Sequence, residues 1–525
     1  MRSLIHLATF TFAFLSFGQN INVSGVNVFD GEPYLTIDPN NTQHLVAAWM
    51  GAQFGQKVTI KSSYSTDGGL TWSTPIWQQH QVANNSSADV SLGYDLNGNL
   101  YMAYIDYDNE NFTNGGIFVR KSLDGGQSWG PAVEAISSLD CPNKLCVDRP
   151  WMVIDRTGGP LDGTIYVTSM NADQPTLVTP PYNPYLAVST DNGNTFSVPR
   201  YLDTLNYYAG NIITQPMPSP TVTADGTFMA IYPSYEPVAQ GPFAHLYLAK
   251  STNAGLDIDH LNAYTGTGNA ISNPLLKKGS LFRSNPADPA HLAYFFLKET
   301  SGDVDIYFME SLNGGVSWTA QQRINQDPVG TGKLQDLVWA DFDLDGDLAV
   351  CWRDRRNAST TGYDVPTEIY CAVRDKDSVN FSPDFALTDN QISHDIVLEG
   401  KGNDFMNVQF LNDTVYAVWG DVRTGSLSIY LNKTAIGSGT TSVTTIFQET
   451  TSEPVIYPNP SSEMIRLTTP AKTERYTIYD QHGKPVFKGK KFPPEGLDIH
   501  RLSNGTYTLL LETKEWQRST TFIKE

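Results

Sequence analysis

One short turn motif occurs four times in this chain of 525 residues and limits what the chain can fold into. The copies STDGGLTW, SLDGGQSW, STDNGNTF and SLNGGVSW begin at Ser65, Ser122, Ser189 and Ser311. An Asp or Asn at the third position can accept hydrogen bonds from the backbone of a tight turn, and glycine supplies the positive φ that the turn needs. We therefore predict that the residues at this position are structural. They are Asp67, Asp124, Asp191 and Asn313.

Each turn belongs to a longer repeat of β-strands. A β-rich segment precedes every copy, and degenerate copies occur at residues 245–258 and 368–381. Upstream lie seven strand-like segments whose equivalent residues are spaced 55 to 67 positions apart, namely Trp49, Tyr104, Thr168, Tyr232, Phe295, Trp352 and Trp419. One more strand precedes each of the seven. A repeat of this period predicts an array of identical β units, such as the blades of a propeller.

The seventh unit lacks an obvious fourth strand, because it continues into a Ser/Thr-rich stretch. The N-terminal segment INVSGVNVF, residues 21–29, could return to supply that strand and close the ring, which would remove an exposed sheet edge. The sequence thus predicts an all-β chain with a seven-bladed β-propeller, and six blades are the alternative.

The repeated octapeptide resembles the Asp-box, or bacterial neuraminidase repeat, of the sialidase superfamily. That resemblance implies a β-propeller with the box between the third and fourth strands of a blade, and a glycan as the substrate class. Sialidases hold the sialic acid carboxylate with three arginines, the first in a motif ahead of the first box. Here no arginine lies between Arg2 and Arg120, so that motif is absent and the sequence does not predict a true exo-α-sialidase.

The two ends of the chain have separate roles. Residues 1–18 combine a basic start with an apolar core too short to span a bilayer, which predicts an export signal peptide. The propeller is assigned to residues 19–435, and residues 436–454 form a Ser/Thr-rich linker. No other apolar run is long enough to cross a membrane, so no transmembrane segment is predicted in the mature chain.

Residues 455–525 carry YPNP, IYD followed by a glycine turn, LSNGTY and a final IK, in that order. These motifs resemble the type A sorting domain of the type IX secretion system of the Bacteroidota. The resemblance implies a small C-terminal β-sandwich, the type IX secretion machinery as a partner, and secretion or attachment at the outer surface.

Charge excludes one class of partner. The whole chain has 35 Lys and Arg against 55 Asp and Glu, and residues 451–525 have 11 against 9, so residues 1–450 have 24 against 46, a net charge of −22. Such an acidic unit is a poor binder of nucleic acid. The expected state is a monomer.

The four cysteines form two pairs. One pair is close in sequence, and the other is expected to be close in the predicted sheet. Cys141 and Cys146 bracket a short loop, while Cys351 and Cys371 fall on neighbouring strands of the sixth unit. In an exported protein both pairs are predicted disulfides. Neither pair has a second thiol pair or a histidine at zinc spacing, so no metal role is predicted for them.

The segment DFDLDGD, residues 341–347, resembles the start of a calcium-binding loop through Asp341, Asp343 and Asp345. Trp352 stands where such a loop would have its bidentate glutamate. The segment also aligns with ordinary hairpin turns of the other units. We predict a hairpin turn first and a structural calcium site second, with no other cofactor.

Candidate site residues come from one face of the ring, where the links between blades and the loops between second and third strands meet. Sialidase-superfamily sites lie on this face. Two second strands end in W-x-D-x-R, and a third ends in YIDYD. The catalytic candidates are Asp354, Asp421, Asp106 and Asp148. The candidates for substrate binding are Arg149, Arg356, Arg423, Glu32 and Tyr363. Blade starts add Asp89, Asp336 and Asp404.

These residue types suit glycan chemistry. A guanidinium can hold a sugar carboxylate through two parallel hydrogen bonds, and paired carboxylates can act as acid and as base or nucleophile in glycoside cleavage. The alternative is structural, since Asp and Arg of W-x-D-x-R could pair with each other between blades.

The sequence is therefore consistent with two functions. The first is a secreted or cell-surface, glycan-active exo-glycoside hydrolase. The alternative is a non-catalytic propeller that binds glycan or protein, as in adhesion. A deep pocket with two carboxylates beside an arginine would favour the enzyme.

Overall fold

The computed structural model describes residues 19–25, 28–52, 55–141, 145–172, 178–179, 182–203, 216–238, 241–265, 271–277, 279–300, 302–398, 402–436, 456–467, 475–480, 484–493, 495–512 and 517–525. The chain divides into two compact units between residues 443 and 444, inside the predicted linker. Within the described ranges the only helix is a 3₁₀ turn, Ile396–Leu398, so the all-β prediction is confirmed. The predicted signal peptide, residues 1–18, lies outside these ranges.

The first unit contains seven four-stranded antiparallel sheets among its described residues. The first described strand is β1 (Ile21–Asn22), and six sheets follow it in chain order. The first sheet consists of β2 (Phe29–Asp38), β3 (Asn41–Ala52), β4 (Thr59–Ser65) and β5 (Ile76–Trp77), and the second of β6 (Ser86–Tyr94), β7 (Leu100–Tyr107), β8 (Gly115–Ser122) and β9 (Val133–Ser137). The third sheet consists of β10 (Asp148–Ile154), β11 (Ile165–Met170), β12 (Tyr185–Ser189) and β13 (Arg200–Tyr201), and the fourth of β14 (Ser219–Val222), β15 (Phe228–Val238), β16 (Gly241–Ser251) and β17 (Asp259–Thr265). The fifth sheet consists of β18 (Leu281–Ser284), β19 (Leu292–Thr300), β20 (Asp303–Ser311) and β21 (Gln322–Arg323), and the sixth of β22 (Gln335–Phe342), β23 (Leu348–Asp354), β24 (Glu368–Arg374) and β25 (Phe385–Ala386). The seven residues aligned from the sequence each lie on the second strand of one sheet.

The seventh sheet is built from both ends of the unit. It combines β26 (Asn407–Leu411), β27 (Thr414–Asp421) and β28 (Ser428–Ala435) with β1, which pairs with β28. The N-terminal segment therefore supplies the fourth strand, as the sequence predicted. The strand is shorter than the predicted residues 21–29, because Phe29 already begins the first strand of the first sheet.

The sheets contact one another in a closed circuit. The first strand of each sheet contacts the first strand of the next, and β26 of the seventh sheet contacts β2 of the first. Apolar side chains fill the spaces between sheets, with Trp49, Trp352 and Trp419 fully buried. Gly31 permits the last contact, because a Cβ at this position would overlap the carbonyl oxygen of Gly402.

The octapeptide turns follow the third strands and repeat one hydrogen-bond network. In the first copy, Ser65 Oγ donates to Asp67 Oδ1 at 2.8 Å, and Thr71 donates to Asp67 through both its backbone N–H at 2.9 Å and its hydroxyl at 2.6 Å. The Thr71 and Ser65 hydrogen bonds lower the pKa of Asp67 to about 2. Asn253, in the degenerate copy, accepts from the equivalent Ser251 hydroxyl at 3.0 Å. These residues hold their own turns.

The DFDLDGD segment forms the hairpin turn between β22 and β23. Its carboxylates reach the seventh sheet: Asp341 accepts from the Phe410 N–H at 3.0 Å, and Asp343 accepts from the Asp413 N–H at 2.8 Å. Asp345 pairs with Lys376 at 2.9 Å. Over the described residues, no group of three or more His, Cys, Asp or Glu is placed to hold a metal ion. The calcium site stays a prediction.

The two cysteine pairs differ. Cys141 and Cys146 are joined by a disulfide just before β10. Cys351 and Cys371 lie opposite each other on β23 and β24, but both are free, buried thiols, so the second predicted disulfide is not formed. Directly opposite residues of antiparallel strands have Cβ atoms roughly 4.5–5.5 Å apart, mostly wider than a disulfide needs. Burial raises the pKa of the Cys351 thiol.

The second unit is a small β-sandwich. Its described strands are β29 (Ile456–Tyr457), β30 (Met464–Leu467), β31 (Arg475–Tyr479), β32 (Pro485–Gly489), β33 (Leu497–Asp498), β34 (Gly505–Glu512) and β35 (Gln517–Lys524). They form a three-stranded and a four-stranded sheet. One apolar cluster joins Ile465 and Leu497 of the smaller sheet to Ile478, Leu509 and Phe522 of the larger.

Glu310 joins the fifth and sixth sheets through an ion pair. Its carboxylate binds Arg374 of the sixth sheet at 2.7 Å and His291 of its own sheet at 2.9 Å. Burial opposes ionisation, but these partners lower the pKa of Glu310 to about 2. We expect Glu310→Gln to lower the free energy of unfolding at pH 7 by about 1–3 kcal/mol, measured by urea denaturation.

The stabilisation by the Glu310 carboxylate depends on pH. A carboxyl whose pKa is depressed on folding stabilises above its unfolded pKa of about 4.3, and that stabilisation disappears as the pH falls toward 2. The difference between Glu310→Gln and the parent should therefore shrink over this range. Glu110→Gln is the control, since Glu110 pairs with Lys57 on the surface and should change stability by less than about 1 kcal/mol. A constant difference from pH 7 to 2 would contradict the ion-pair explanation.

Candidate functional site

A cavity of about 470 Å³ lies among the first strands of the ring. Four aromatic residues line it: Tyr34 of β2, Trp151 of β10, Trp339 of β22 and Phe405, two residues before β26. The Trp151 ring meets Phe405 edge-on at 5.0 Å and Trp339 at 5.7 Å between centroids, while Tyr34 meets Trp339 at 5.9 Å. Four first strands from different parts of the chain thus build one aromatic wall.

Four of the first strands begin with the same irregularity. Each has a shift of register near its start, and a non-glycine residue there has positive φ: Glu32 at 54°, Asp89 at 50°, Arg149 at 53° and Leu337 at 54°. Such backbone is costly for residues with a side chain and often occurs at functional sites. A bulge re-aims the side chains around it. Three of the four positions carry charged residues, which come together near the cavity.

Three carboxyl groups meet beside these bulges. Asp89 is hydrogen-bonded to both Glu32 and Asp148. Glu32 and Asp89 are 2% and 7% exposed, while Asp148 remains partly accessible. Burial, followed by the charge of Asp89, raises the pKa of Asp148 well above its usual range, and the same two causes raise the pKa of Glu32. The cluster therefore retains protons where free carboxyls would be ionised.

Arg149 connects this cluster to a fourth carboxyl group. Its guanidinium lies 2.7 Å from Asp404 and 3.8 Å from Asp89. Lys277 holds the other oxygen of Asp404 at 2.8 Å. Burial opposes ionisation of Asp404, but Arg149 and Lys277 outweigh it and lower the pKa of Asp404. The site thus holds carboxyl groups whose pKa values are shifted in opposite directions, and Arg149, Lys277 and Asp404 line the cavity.

Lys277 is in turn positioned by a buried network. Its backbone N–H donates to Asp336 at 3.1 Å, and Asp336 accepts two hydrogen bonds from Arg353, at 2.7 and 2.6 Å. Arg353 also donates to the Tyr363 hydroxyl at 3.0 Å, which donates to the Leu398 carbonyl at 3.3 Å. The structure therefore places Tyr363 in a supporting network rather than on the cavity wall.

The first W-x-D-x-R segment pairs with itself. Asp354 is buried and accepts from the Trp352 indole, the Arg356 backbone and the Arg356 guanidinium, each at 2.7 Å. Arg356 also contacts Asp384 at 2.8 Å and lies over the Tyr370 ring at 4.0 Å. Asp354 and Arg356 thus form structural contacts at the edge of the sixth sheet.

The second segment repeats this arrangement. Asp421 accepts from the Trp419 indole at 3.0 Å and from the Arg423 backbone at 2.9 Å, and it pairs with the Arg423 guanidinium at 2.7 Å. Arg423 also reaches Asp389 and Asn20. The pairing lies within each segment, not between blades as the sequence alternative had it.

Asp106 is also fully buried. It accepts from His80 at 2.8 Å, from Asn85 at 2.7 Å and from Ser87 at 2.9 Å. Of the predicted site residues, the structure therefore brings Glu32, Asp148 and Arg149 together. Of these three, only Arg149 lines the cavity. The other predicted site residues lie neither in this cluster nor on the cavity wall; they are Asp106, Asp354, Arg356, Tyr363, Asp421 and Arg423. Lys277, Arg283 and the aromatic wall were missed from the sequence.

Comparisons with known proteins identify the C-terminal unit. Residues 455–525 match the family model described as the secretion system C-terminal sorting domain. This domain directs type IX secretion, so the protein is exported to the cell surface or the extracellular space and its tail engages the type IX machinery. No helix in the described ranges combines the length and hydropathy of a membrane span.

Three solved structures that are similar to the chain have 12% to 15% identity with it. No curated protein matches the chain. A Dyadobacter fermentans protein of unknown function has 14% identity and a TM-score of 0.44, with 80% of this chain and 99% of that chain covered. A GH93 α-L-arabinofuranosidase of Fusarium graminearum has 12% identity, a TM-score of 0.41 and coverage of 80% and 97%. The NanB sialidase from Streptococcus pneumoniae has 15% identity, a TM-score of 0.37 and coverage of 82% and 71%.

The saturated hydrogen bonds of Asp354 predict a structural effect. Asp354→Asn removes the charge facing Arg356 inside the sheet edge, and breaking a buried ion pair from one side costs about 3 kcal/mol of unfolding free energy. Urea denaturation measures the change. Asp377→Asn is the control, because Asp377 is exposed on the same sheet and should stay within about 0.5 kcal/mol of the parent. Parental stability of Asp354→Asn would contradict the structural role.

Proposed function

We propose that the first unit is a seven-bladed β-propeller whose central cavity is the active site of a secreted exo-glycoside hydrolase acting on glycans. One observation carries the proposal: Asp148 and Asp404, which both interact electrostatically with Arg149, have pKa values shifted in opposite directions. Pairs of titratable groups shifted apart in this way are typical of acid and base assignments.

Asp148 is the proposed general acid. Its raised pKa keeps the carboxyl protonated at a pH where an ordinary aspartate has lost its proton. It is partly exposed and is next in sequence to Arg149, which lines the cavity. Asp89 is hydrogen-bonded to Asp148 and, together with burial, maintains the shift. Removing the Asp89 charge would ease the repulsion that keeps Asp148 protonated.

Asp404 is the proposed second carboxylate. Its lowered pKa keeps it anionic, as a nucleophile or a water-activating base must be. Arg149 and Lys277 fix both of its oxygens and place two donors at the cavity wall for substrate hydroxyl or carboxylate groups.

The cavity supports an exo mode of action. Its volume of about 470 Å³ falls within the range of small-ligand sites, and its lining combines aromatic side chains with a few charged groups. A cavity of this size among the first strands suits the end of a glycan chain, whereas cleavage within a chain needs an extended groove. The aromatic rings offer apolar surface for the faces of a sugar.

A non-catalytic module that binds glycan or protein is the second candidate. The observation that favours it is the complete pairing of Asp354 with Arg356 and of Asp421 with Arg423, which leaves the most conspicuous charged motifs of this face without a free catalytic group. The proposal includes three further features. The octapeptide turns are Asp-boxes, a signal peptide is cleaved at residue 18, and the mature protein is a monomer.

Hydrolysis of aryl glycosides and native oligosaccharides by the full mature chain tests the enzyme. We expect Asp148→Asn and Asp404→Asn to lower kcat at least about 100-fold on whichever substrate the parent cleaves. Activity should fall at alkaline pH as Asp148 loses its proton and at acidic pH as Asp404 gains one, giving a bell-shaped profile.

Asp191→Asn is the matched control. Asp191 lies in an octapeptide turn of the same sheet as Asp148, and Asn313 occupies the equivalent position in another copy. This variant should keep the parental kcat. Glycan binding without any turnover would contradict the proposed hydrolase and support the non-catalytic binding module.

A further inference from the structure

The cavity is cationic although the unit around it is acidic. Four charged residues line it, three of them positive: Arg149, Lys277, Arg283 and Asp404. Residues 1–450 carry a net charge of −22, so this local reversal of sign is not a consequence of composition. Arg149 and Lys277 share Asp404. Arg283 has no such partner in the described residues.

Arg283 is held in place by contacts that leave most of its donors unused. In β18, its Nε donates to the Ala340 carbonyl at 3.1 Å and its Nη1 to the Phe282 carbonyl at 3.0 Å. The guanidinium lies 5.3 Å from the centre of the Trp339 ring, which also lines the cavity. A guanidinium has five N–H groups. The rest, including both on Nη2, have no hydrogen-bond partner among the described residues.

A neighbouring carboxyl group interacts with Arg283, but the two form no ion pair within the described residues. Asp341 lies close enough to interact with Arg283 and Arg156, but its hydrogen bond goes to the Phe410 backbone at 3.0 Å. Burial raises the pKa of Asp341 to about 6, although both arginines oppose the shift. Arg156 is exposed at this end of the first strands and forms no ion pair within the described ranges. Two arginines therefore face one weakly acidic carboxyl group.

This environment differs from that of three other arginines of this unit. Arg149, Arg353 and Arg356 each form an ion pair at 2.6 to 2.7 Å with a carboxylate. Arg283 has the same kind of fixed plane, set by two carbonyls and a tryptophan face, but its remaining edge is free of carboxylates. A preoriented guanidinium edge is the geometry that binds a planar anion through two parallel hydrogen bonds.

We infer that Arg283 anchors a second binding site in the cavity, for the carboxylate or sulfate group of a ligand. The site lies on the part of the cavity wall formed by Arg283 and Trp339, near Tyr34 and Asp341. It goes beyond the proposed hydrolysis, because it needs only binding. The same chemistry would suit an acidic group on a sugar or a free anion, and the experiment separates these two.

Isothermal titration of the full mature chain at low salt tests the inference with glucuronate, sulfate and glucose. We expect saturable glucuronate or sulfate binding that Arg283→Met weakens at least about tenfold, because the charge-assisted hydrogen bonds are lost while the stem over Trp339 is kept. Glucuronate bound more tightly than sulfate, with no glucose binding, identifies an acidic sugar. Equal binding of both anions identifies a free anion.

Arg200→Met is the matched control. Arg200 also binds two carbonyl oxygens, of Gly255 and Leu256, but on the outer strand of the third sheet, so it should leave anion binding unchanged. Arg283→Lys is the second variant if Arg283→Met does not fold. It keeps the positive charge but loses the parallel N–H donors of the guanidinium, so its affinity for the anion should lie between those of the parent and Arg283→Met.

Two results would overturn the inference: no saturable anion binding by the parent, or equal affinity in the parent and Arg283→Met. The outcome is separable from that of the proposed enzyme. A protein that cleaves no glycoside but shows Arg283-dependent anion binding keeps this site and loses the hydrolase. A protein that cleaves neutral glycosides without binding anions does the reverse.

Discussion

Closure of the ring depends on the pairing of β1 with β28. Ile21 and Asn22 cover the edge of a strand that would otherwise expose its backbone N–H and C=O groups. Closure also brings the start of the seventh sheet against β2, where Gly31 admits the backbone of Gly402. The Asp404 N–H then donates to Glu32 at 3.2 Å, across 372 positions of sequence. The carboxyl groups of the candidate site therefore meet only when the ring is closed.

The bulges determine what the closed ring can hold. A regular first strand would alternate its side chains between the two faces of its sheet, so neighbouring charged residues would point apart. The positive φ at Glu32, Asp89 and Arg149 breaks that alternation at one level in three sheets. Strained backbone of this kind costs roughly 1–3 kcal/mol per residue, and it persists because the surrounding sheets fix it. The apolar core between the sheets thus stabilises a polar cluster that would not assemble by itself.

The sequence predicts the scaffold better than the site, and the reason is the range of the interactions. The octapeptide turns, the aligned second strands and the closing N-terminal segment depend on contacts within a few residues or on a repeat. W-x-D-x-R is conspicuous for the same reason, since Trp352, Asp354 and Arg356 bond to one another locally. The site joins Arg149 to Asp404 over 255 positions and Lys277 to Asp404 over 127, which no local pattern encodes. Pro33 and Pro150, each inside a first strand, were the available signal, because proline within a strand marks a bulge.

The shared cation makes the two ends of the site interdependent. Arg149 faces both Asp89, which raises the pKa of Asp148, and Asp404, which the proposed mechanism requires to be ionised. A ligand anion that drew Arg149 away would raise the pKa of Asp404 and increase repulsion within the carboxyl cluster at the same time. A second cation that receives the anion avoids this conflict, and Arg283 lies on the same cavity without a carboxylate of its own in the described residues. In the proposed mechanism, binding of the anion at Arg283 therefore leaves the pKa values of Asp148 and Asp404 undisturbed.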